Sequence, residues 1–253
     1  MAWDPRTYLT YGNERTRPAA ELLARIDCEA PRAVADLGCG PGNSTALLAT
    51  RFPDAEIEGV DNSAEMLAEA RKSPFRARWT LADVSAWAPA KPCDVIYSNA
   101  TYQWIPHHTA LLPRLFSYVK PGGTFAFQVP CNFREPSHTL LHETAANGPW
   151  AAKLEGVRDG RVLEPEEYFD ILEPVAGHID IWETCYMQTL TGEDAVFRWT
   201  IGTALRPFAA ALEGAEREAF LAEYRHRLRE AYPTRASGIT LFPFHRLFCV
   251  AKR

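Results

Sequence analysis

The absences in this 253-residue chain narrow its function first. No apolar run approaches the roughly 18 residues that a membrane span needs, so no membrane partner is expected. The opening Met1-Ala2-Trp3-Asp4-Pro5-Arg6 has no apolar core of the kind a secretory signal carries. Positive charge is in deficit: 27 Lys and Arg stand against 32 Asp and Glu, a net charge of -5, and no basic stripe suggests a nucleic-acid partner. None of the six cysteines forms a C-x-x-C pair, which argues against a zinc ribbon or a dithiol redox centre. Reduced, mostly buried thiols point to the cytoplasm. No G-x-x-x-x-G-K-[ST] element is present, hence no P-loop, and no H-E-x-x-H. His138 and His142, four residues apart, read as a structural or surface pair, and no metal is expected. Gly/Ser linkers and internal repeats are also missing, which favours a single domain over 1–253. What is there is ordinary for a folded chain: 47% hydrophobic and 23% charged residues, far from a disordered composition.

The pattern along the chain alternates. A helix is expected around Pro18 to Ile26, with the proline in its first turn. Ala33 to Leu37 is a short apolar run ending at glycines, hence a buried strand. Asn43 to Arg51 reads as a helix, Glu56 to Asp61 as a second strand, and Ser63 to Lys72 as a helix capped by Asn62 or Ser63. Strands follow at Trp79 to Ala82, Cys93 to Ser98 and Thr124 to Val129. A helix from Thr109 to Val119 is ended by Lys120-Pro121-Gly122-Gly123. Such alternation means βαβ units, and right-handed crossovers make a doubly wound α/β sheet. Two further strands, His178 to Leu190 and Leu241 to Ala251, fit an antiparallel pair at one edge, giving seven strands, mostly parallel. Segments 131–170 and 192–236 are expected as helical cap insertions, and 1–30 as an N-terminal lid.

The ligand of such a sheet sits beyond the carboxyl ends of its strands, at the switch point beside strand one. There the chain reads Asp36-Leu37-Gly38-Cys39-Gly40-Pro41-Gly42-Asn43-Ser44. Glycines let a backbone turn tightly and approach a ligand. The spacing is G-x-G-x-G, not the dinucleotide G-x-G-x-x-G. Asp36 ahead of the first glycine would repel a pyrophosphate and suit a ligand bearing an ammonium group. An NAD-dependent oxidoreductase and a non-catalytic cofactor-binding module remain alternatives at this point.

This loop resembles motif I of the class I S-adenosylmethionine-dependent methyltransferases, and the likeness runs in order over about 33–130. It implies a Rossmann-like methyltransferase fold with S-adenosylmethionine as cofactor. It implies a cofactor site built from Asp36, Gly38, Gly40, Gly42, Asn43 and Ser44; Asp61, Asn62 and Met66; Asp83 and Val84; and Asn99 and Ala100. Asp61 would hold the ribose hydroxyls and Asp83 the adenine amino group. Capping of the next helix by Asp61, a plain turn contact for Asp83 and a loop-holding role for Asn99 are the competing readings. The N-terminal segment of relatives folds over the cofactor, which brings in Tyr8, Tyr11 and Arg17, the last for a carboxylate; simple packing on the sheet is the alternative.

A narrower likeness spans nearly the full length. Trp3-Asp4-Pro5-Arg6-Thr7-Tyr8-Leu9, Glu14 to Leu23, Asn99-Ala100-Thr101-Tyr102-Gln103-Trp104, Asp180 to Thr184, Gly202 to Pro207 and Arg246-Leu247-Phe248 resemble the trans-aconitate 2-methyltransferase family. The likeness implies monomethyl esterification of trans-aconitate, a tricarboxylate. Another small polycarboxylate or metabolite on the same scaffold is the rival substrate. A carboxylate is ionised at pH 7, with an ordinary pKa near ~4, so no general base is required. Tyr102 and Trp104 are expected as apolar walls, which favour a transition state less charged than its reactants. Polycarboxylates call for the planar fork of arginine. Arg206, Arg246 and Arg134 are the candidates, with Gln103, Trp104 and His107 beside them; for His107 a loop role competes.

Overall fold

All five residues of Ala33–Leu37 are buried, which a strand achieves when both faces of its sheet are covered. The computed structural model describes residues 12–157 and 160–253. In chain order the elements are α1 (Gly12–Ala24), β1 (Ala33–Leu37), α2 (Asn43–Arg51), β2 (Glu56–Asp61), α3 (Ala64–Ala70), β3 (Arg78–Leu81) and β4 (Cys93–Asn99). A 3-10 turn (Tyr102–Trp104) leads to α4 (His108–Phe116), β5 (Val119–Pro130), α5 (Pro136–Ala146), α6 (Ala151–Leu154) and α7 (Pro165–Leu172). Then come β6 (His178–Thr191), α8 (Ala195–Ile201), α9 (Leu205–Ala210), α10 (Gly214–Ala231) and β7 (Ile239–Lys252). The sheet has seven strands in the order β3-β2-β1-β4-β5-β7-β6. β1 to β5 pair in parallel. β7 runs against β5: Gly122 N donates to Arg253 O (2.7 Å) and Cys131 N to His245 O (3.1 Å), so one strand advances as the other recedes.

The doubly wound α/β order expected from the sequence is therefore present, with local differences. α1 begins at Gly12, so Pro18 lies in its interior rather than its first turn. The lost backbone bond is tolerated because Ala19, Leu22 and Leu23 bury the helix along one face. α4 stops at Phe116, and Lys120-Pro121-Gly122-Gly123 belongs to β5 instead of ending the helix. The register against β4 shifts there, Gly122 takes a φ of +77°, and a Cβ at Gly123 would lie 2.7 Å from the Asp94 carbonyl oxygen. Glycine is needed for that close approach. Among the described residues no helix is long and apolar enough to cross a membrane.

The chain forms two compact units. The first holds the residues up to Val129, Val162–Glu183 and Leu247–Arg253, and the second Pro130–Arg161 and Thr184–Arg246. The boundaries differ from the insertions expected at 131–170 and 192–236. α7 stays with the first unit because Tyr168 is fully buried there, 5.2 Å from the Phe127 ring. The second unit is built round aromatic side chains of its helices, with Trp150 edge-on to Phe220 at 5.3 Å and Phe208 stacked on Phe220 at 6.5 Å.

One carboxylate fastens three strand entries in the first unit. Asp94 Oδ2 accepts the backbone N–H of Arg32 and of Ala33, each at 2.8 Å, and Oδ1 accepts Lys120 Nζ at 2.7 Å. Burial alone would raise this carboxyl, but the bonds from Lys120, Ala33 and Arg32 outweigh it and hold it below its ordinary value. The stability so gained is present above the unfolded carboxyl pKa near ~4 and is lost as pH falls through the lower folded value. Asp94→Asn should cost about 2 kcal/mol at pH 7, some ~5 °C in Tm, and should flatten the acid side of the stability curve. A variant whose Tm tracks the parent's from pH 7 to pH 3 would refute the clamp.

Candidate functional site

After β1 the chain takes positive φ at Gly38 (+74°), Gly40 (+54°) and Gly42 (+92°). Gly38 is also sterically required, because a Cβ there would lie 2.0 Å from Thr101 Oγ1. The backbone donors of this loop are all directed into the protein. Gly38 N and Cys39 N donate to Val60 O (2.8 and 3.0 Å), Gly42 N to Cys39 O (3.0 Å), and Gly40 N to Asp61 Oδ2 (2.8 Å). Residue 41 is proline and has no N–H. A phosphate cradle needs those groups pointing outward, so the loop is not an anion nest.

The loop borders a cavity of about 330 Å³ at the carboxyl ends of β1, β2, β3 and β4. Gly38, Gly40 and Pro41 line it after β1; Asp61, Asn62 and Met66 after β2; Asp83, Val84 and Ser85 after β3; and Asn99, Ala100, Thr101, Trp104, Ile105 and Pro106 after β4. Asp61 Oδ1 accepts Ser63 N at 2.9 Å, while Ser63 Oγ caps α3 by accepting Met66 N at 3.2 Å. Asp83 Oδ1 accepts Ser85 N and Ser85 Oγ, both at 2.7 Å. These carboxylates keep further lone pairs for hydroxyl or amino donors. Asn99 Oδ1 accepts Gln128 Nε2. Ala100 is left-handed (φ +57°), a strained turn fixed by Ala100 N donating to Gln128 O (2.9 Å) and Gln103 Nε2 donating to Ala100 O (2.7 Å).

Asp36 lies behind the loop rather than on the cavity wall. It is fully buried, and its Oδ2 accepts Ser44 Oγ (2.7 Å) and Thr45 Oγ1 (2.6 Å). Its Oδ1 has no hydrogen-bond partner among the described residues. Burial pushes this carboxyl up to about 6, against the pull of the Thr45 and Ser44 hydroxyls.

Ten of the expected cofactor and wall residues thus meet at one cavity: Gly38, Gly40, Asp61, Asn62, Met66, Asp83, Val84, Asn99, Ala100 and Trp104. Asp36, Gly42, Asn43 and Ser44 stand behind it in β1 and α2 or its cap. Tyr102 is not a wall: its ring is fully buried against Phe125 and Phe127, at 6.2 and 5.3 Å. Gln103 is buried and spends its amide on the Ala100 carbonyl. His107 is exposed and left-handed (φ +62°) as the N-cap of α4, which is the loop role. Arg17 lies on exposed α1 surface and pairs with Glu21 at 2.8 Å. Tyr8 and Tyr11 lie outside the described residues. In the second unit, Arg206 is on α9, Arg134 is exposed, and Arg246 is buried on β7 with its guanidinium 4.9 Å above the Phe244 ring. His138 Nδ1 meets Ser137 Oγ at 3.1 Å, and His142 packs edge-on to Phe208 at 5.5 Å. The described residues contain no group of three His, Cys, Asp or Glu placed to hold a metal. Pro41, Ser85, Thr101, Ile105 and Pro106 were not anticipated; each adjoins an expected residue or its turn.

A family model described as a methyltransferase domain matches residues 11–166. With the sheet and its cavity, it defines an S-adenosylmethionine-dependent methyltransferase. The trans-aconitate 2-methyltransferase of Methylobacterium radiotolerans is 48% identical over 255 residues, covering 99% of this chain and 98% of its own. That of Azoarcus sp. is 48% identical over 252 residues, covering 99% of each. The chain belongs to the trans-aconitate 2-methyltransferase family. In fold it is similar to the YcgJ protein of Bacillus subtilis, with a TM-score of 0.61 at 14% identity over 94% of this chain and 98% of that one.

Two predictions concern the loop. Gly40→Ala meets nothing within 4 Å and carries conformational strain alone, whereas Gly38→Ala adds the collision with Thr101. Gly38→Ala should therefore lose the larger stability and abolish the Tm increase given by S-adenosylhomocysteine; equal behaviour of the two variants would contradict the close approach. For Asp36, a folded pKa of about 6 means the folded state holds its proton longer than the unfolded chain. Stability is then greatest below ~4 and falls as pH rises towards the folded value, by about 3 kcal/mol in all. Asp36→Asn should remove that fall, measured as Tm between pH 4 and pH 7.

Proposed function

We propose that the enzyme transfers a methyl group from S-adenosylmethionine to a carboxylate of trans-aconitate, giving the monomethyl ester and S-adenosylhomocysteine. The observation that carries the cofactor half is the donor accounting of the glycine loop. Its N–H groups are used internally and two carboxylates face the cavity, which suits hydroxyl and amino donors and repels a diphosphate. The substrate half is supported by the full-length likeness to relatives that bear that name.

S-adenosylmethionine, when bound, supplies the methyl group: a carboxylate oxygen forms the new O–C bond while the S–C bond breaks and its electron pair stays on sulfur. Asp61 is proposed to take the ribose hydroxyls and Asp83 the adenine amino group. Met66, Val84, Trp104, Ile105 and Pro106 give the cavity apolar walls, which exclude water from a step in which opposite charges cancel. Arg206, Arg246 and Arg134 are proposed as the cations for the substrate carboxylates. Arg246 is the buried member of the three, with its guanidinium over the Phe244 ring. Because a carboxylate is already a nucleophile, the residues need only position it, an effect that contributes up to roughly 7–11 kcal/mol in favourable cases. We place the enzyme in the cytoplasm, supported by six cysteines that stand as thiols.

Purified enzyme incubated with labelled S-adenosylmethionine and trans-aconitate, cis-aconitate, isocitrate or citrate should form a base-labile ester, fastest with trans-aconitate. Absence of ester with every acid would overturn the substrate. Arg206→Ala should raise the KM for trans-aconitate about tenfold to a hundredfold through loss of a charge-assisted pair, with kcat changed less. An unchanged KM would remove Arg206 from the site.

A further inference from the structure

The cavity wall after β4 depends on a side chain that does not touch the cavity. Thr101, Trp104, Ile105 and Pro106 line it, and they flank or belong to the 3-10 turn Tyr102–Trp104. Within the turn Trp104 N donates to Thr101 O (3.0 Å) and Ile105 N to Tyr102 O (2.9 Å). A three-residue 3-10 turn has poor hydrogen-bond geometry and little intrinsic stability, so its position must come from outside.

That outside support is His108, the first residue of α4, only 5% exposed. Its Nε2 lies 2.7 Å from the Tyr102 carbonyl oxygen. Its Nδ1 lies 3.0 Å from the hydroxyl of Tyr168 on α7, sixty residues on. The Tyr168 hydroxyl in turn accepts Leu163 N at 3.3 Å. The rings also meet: His108 stacks on Tyr168 at 5.7 Å and Tyr168 packs edge-on to Phe127 at 5.2 Å.

The chemistry of these atoms fixes the direction of every bond. A carbonyl oxygen can only accept, so Nε2 must carry the hydrogen. In a neutral imidazole Nδ1 is then a bare acceptor, which the Tyr168 O–H fills. The hydroxyl accepts from Leu163 and donates to His108, and the relay has one polarity. A doubly protonated ring would turn Nδ1 into a donor and end the hydrogen bond that the Tyr168 O–H gives it. Burial also favours the neutral ring, opposed by the carbonyls of Tyr102 and Ile105.

We propose that His108, as the neutral Nε2–H tautomer, is a positioning residue that holds the cavity wall of residues 101–106 in register by fastening the Tyr102 carbonyl to Tyr168. α7 is then a working part of the cofactor site, although none of its residues lines it. The kinetic consequence rests on the proposed acid substrate; the tautomer and the effect on S-adenosylhomocysteine affinity do not.

The test has three arms. Nitrogen-15 NMR of the histidine rings should show one buried imidazole with Nε2 protonated and Nδ1 bare between pH 6 and pH 8; a protonated Nδ1 at His108 overturns the proposal. Calorimetry with S-adenosylhomocysteine should give about tenfold weaker binding for His108→Ala, the worth of one buried hydrogen bond. His108→Gln, whose amide can still donate to the Tyr102 carbonyl, should recover most of that loss. Tyr168→Phe keeps the ring packing and removes only the hydroxyl. It should weaken binding severalfold and decides the matter if the alanine variant does not fold. Folded variants that bind as tightly as the parent overturn the role. In the methyl-transfer assay kcat should fall in His108→Ala more than the KM for the acid changes, with recovery in His108→Gln. Should no acid be methylated by the parent, the substrate reading fails while the first two arms still decide the role of His108.

Discussion

Asp61 fastens the arrangement on which the site depends. One carboxylate at the end of β2 accepts the amide of Gly40 with one oxygen and the amide of Ser63 with the other. It therefore ties the middle of the glycine loop to the N-terminus of α3. A loop with three residues at positive φ has a large conformational entropy to lose, and such tethers are what make it a single shape. The tether also decides the chemistry. An amide turned towards Asp61 is withdrawn from the ligand, and the ligand meets a carboxylate where a phosphate-binding loop would offer N–H groups.

The neighbouring strand end is fixed by contact instead of charge. Gly38 has no side chain because Thr101 occupies that space, so the turns after β1 and β4 close on each other at the switch point of the sheet. Behind them Asp36 is buried with one oxygen unpartnered among the described residues, an arrangement that lowers stability at neutral pH. Local losses of this kind gather where a site has to keep one geometry.

The sheet was legible in the sequence because its signals are local. Ala33 to Leu37 and Glu56 to Asp61 are bounded by turns and read at their observed limits, as does the helix Asn43–Arg51 between Gly42 and Phe52-Pro53. Asp61, Asp83 and Asn99 were legible as cavity residues through the methyltransferase resemblance, and the parallel order of the strands brings them to one edge. What escaped were features set by distant partners. Lys120-Pro121-Gly122-Gly123 looks like a helix terminator until Arg253 pairs with it from the far end of the chain. In His107-His108 nothing local shows which ring is buried; Tyr168, sixty residues on, selects the second. Tyr102 and Trp104 are equally aromatic, but residues two apart on a 3-10 turn point to different sides, so one packs on Phe127 and the other borders the cavity.

The polar side chains round the cavity share a habit that bears on the chemistry. Asp61, Asp83, Gln103 and His108 each hold a backbone amide or carbonyl of a nearby turn. Each of these bonds fixes the position of a turn, and none of the four is arranged as a nucleophile–base pair. An enzyme that had to remove a proton would need one such group aimed at its substrate, with a pKa near the working pH. A carboxylate acceptor arrives without a proton to remove, so a site whose hydrogen bonds are committed to its own framework suffices for it. The demand that remains is geometric, and it falls on the turns after β1 and β4, where most of those bonds are made.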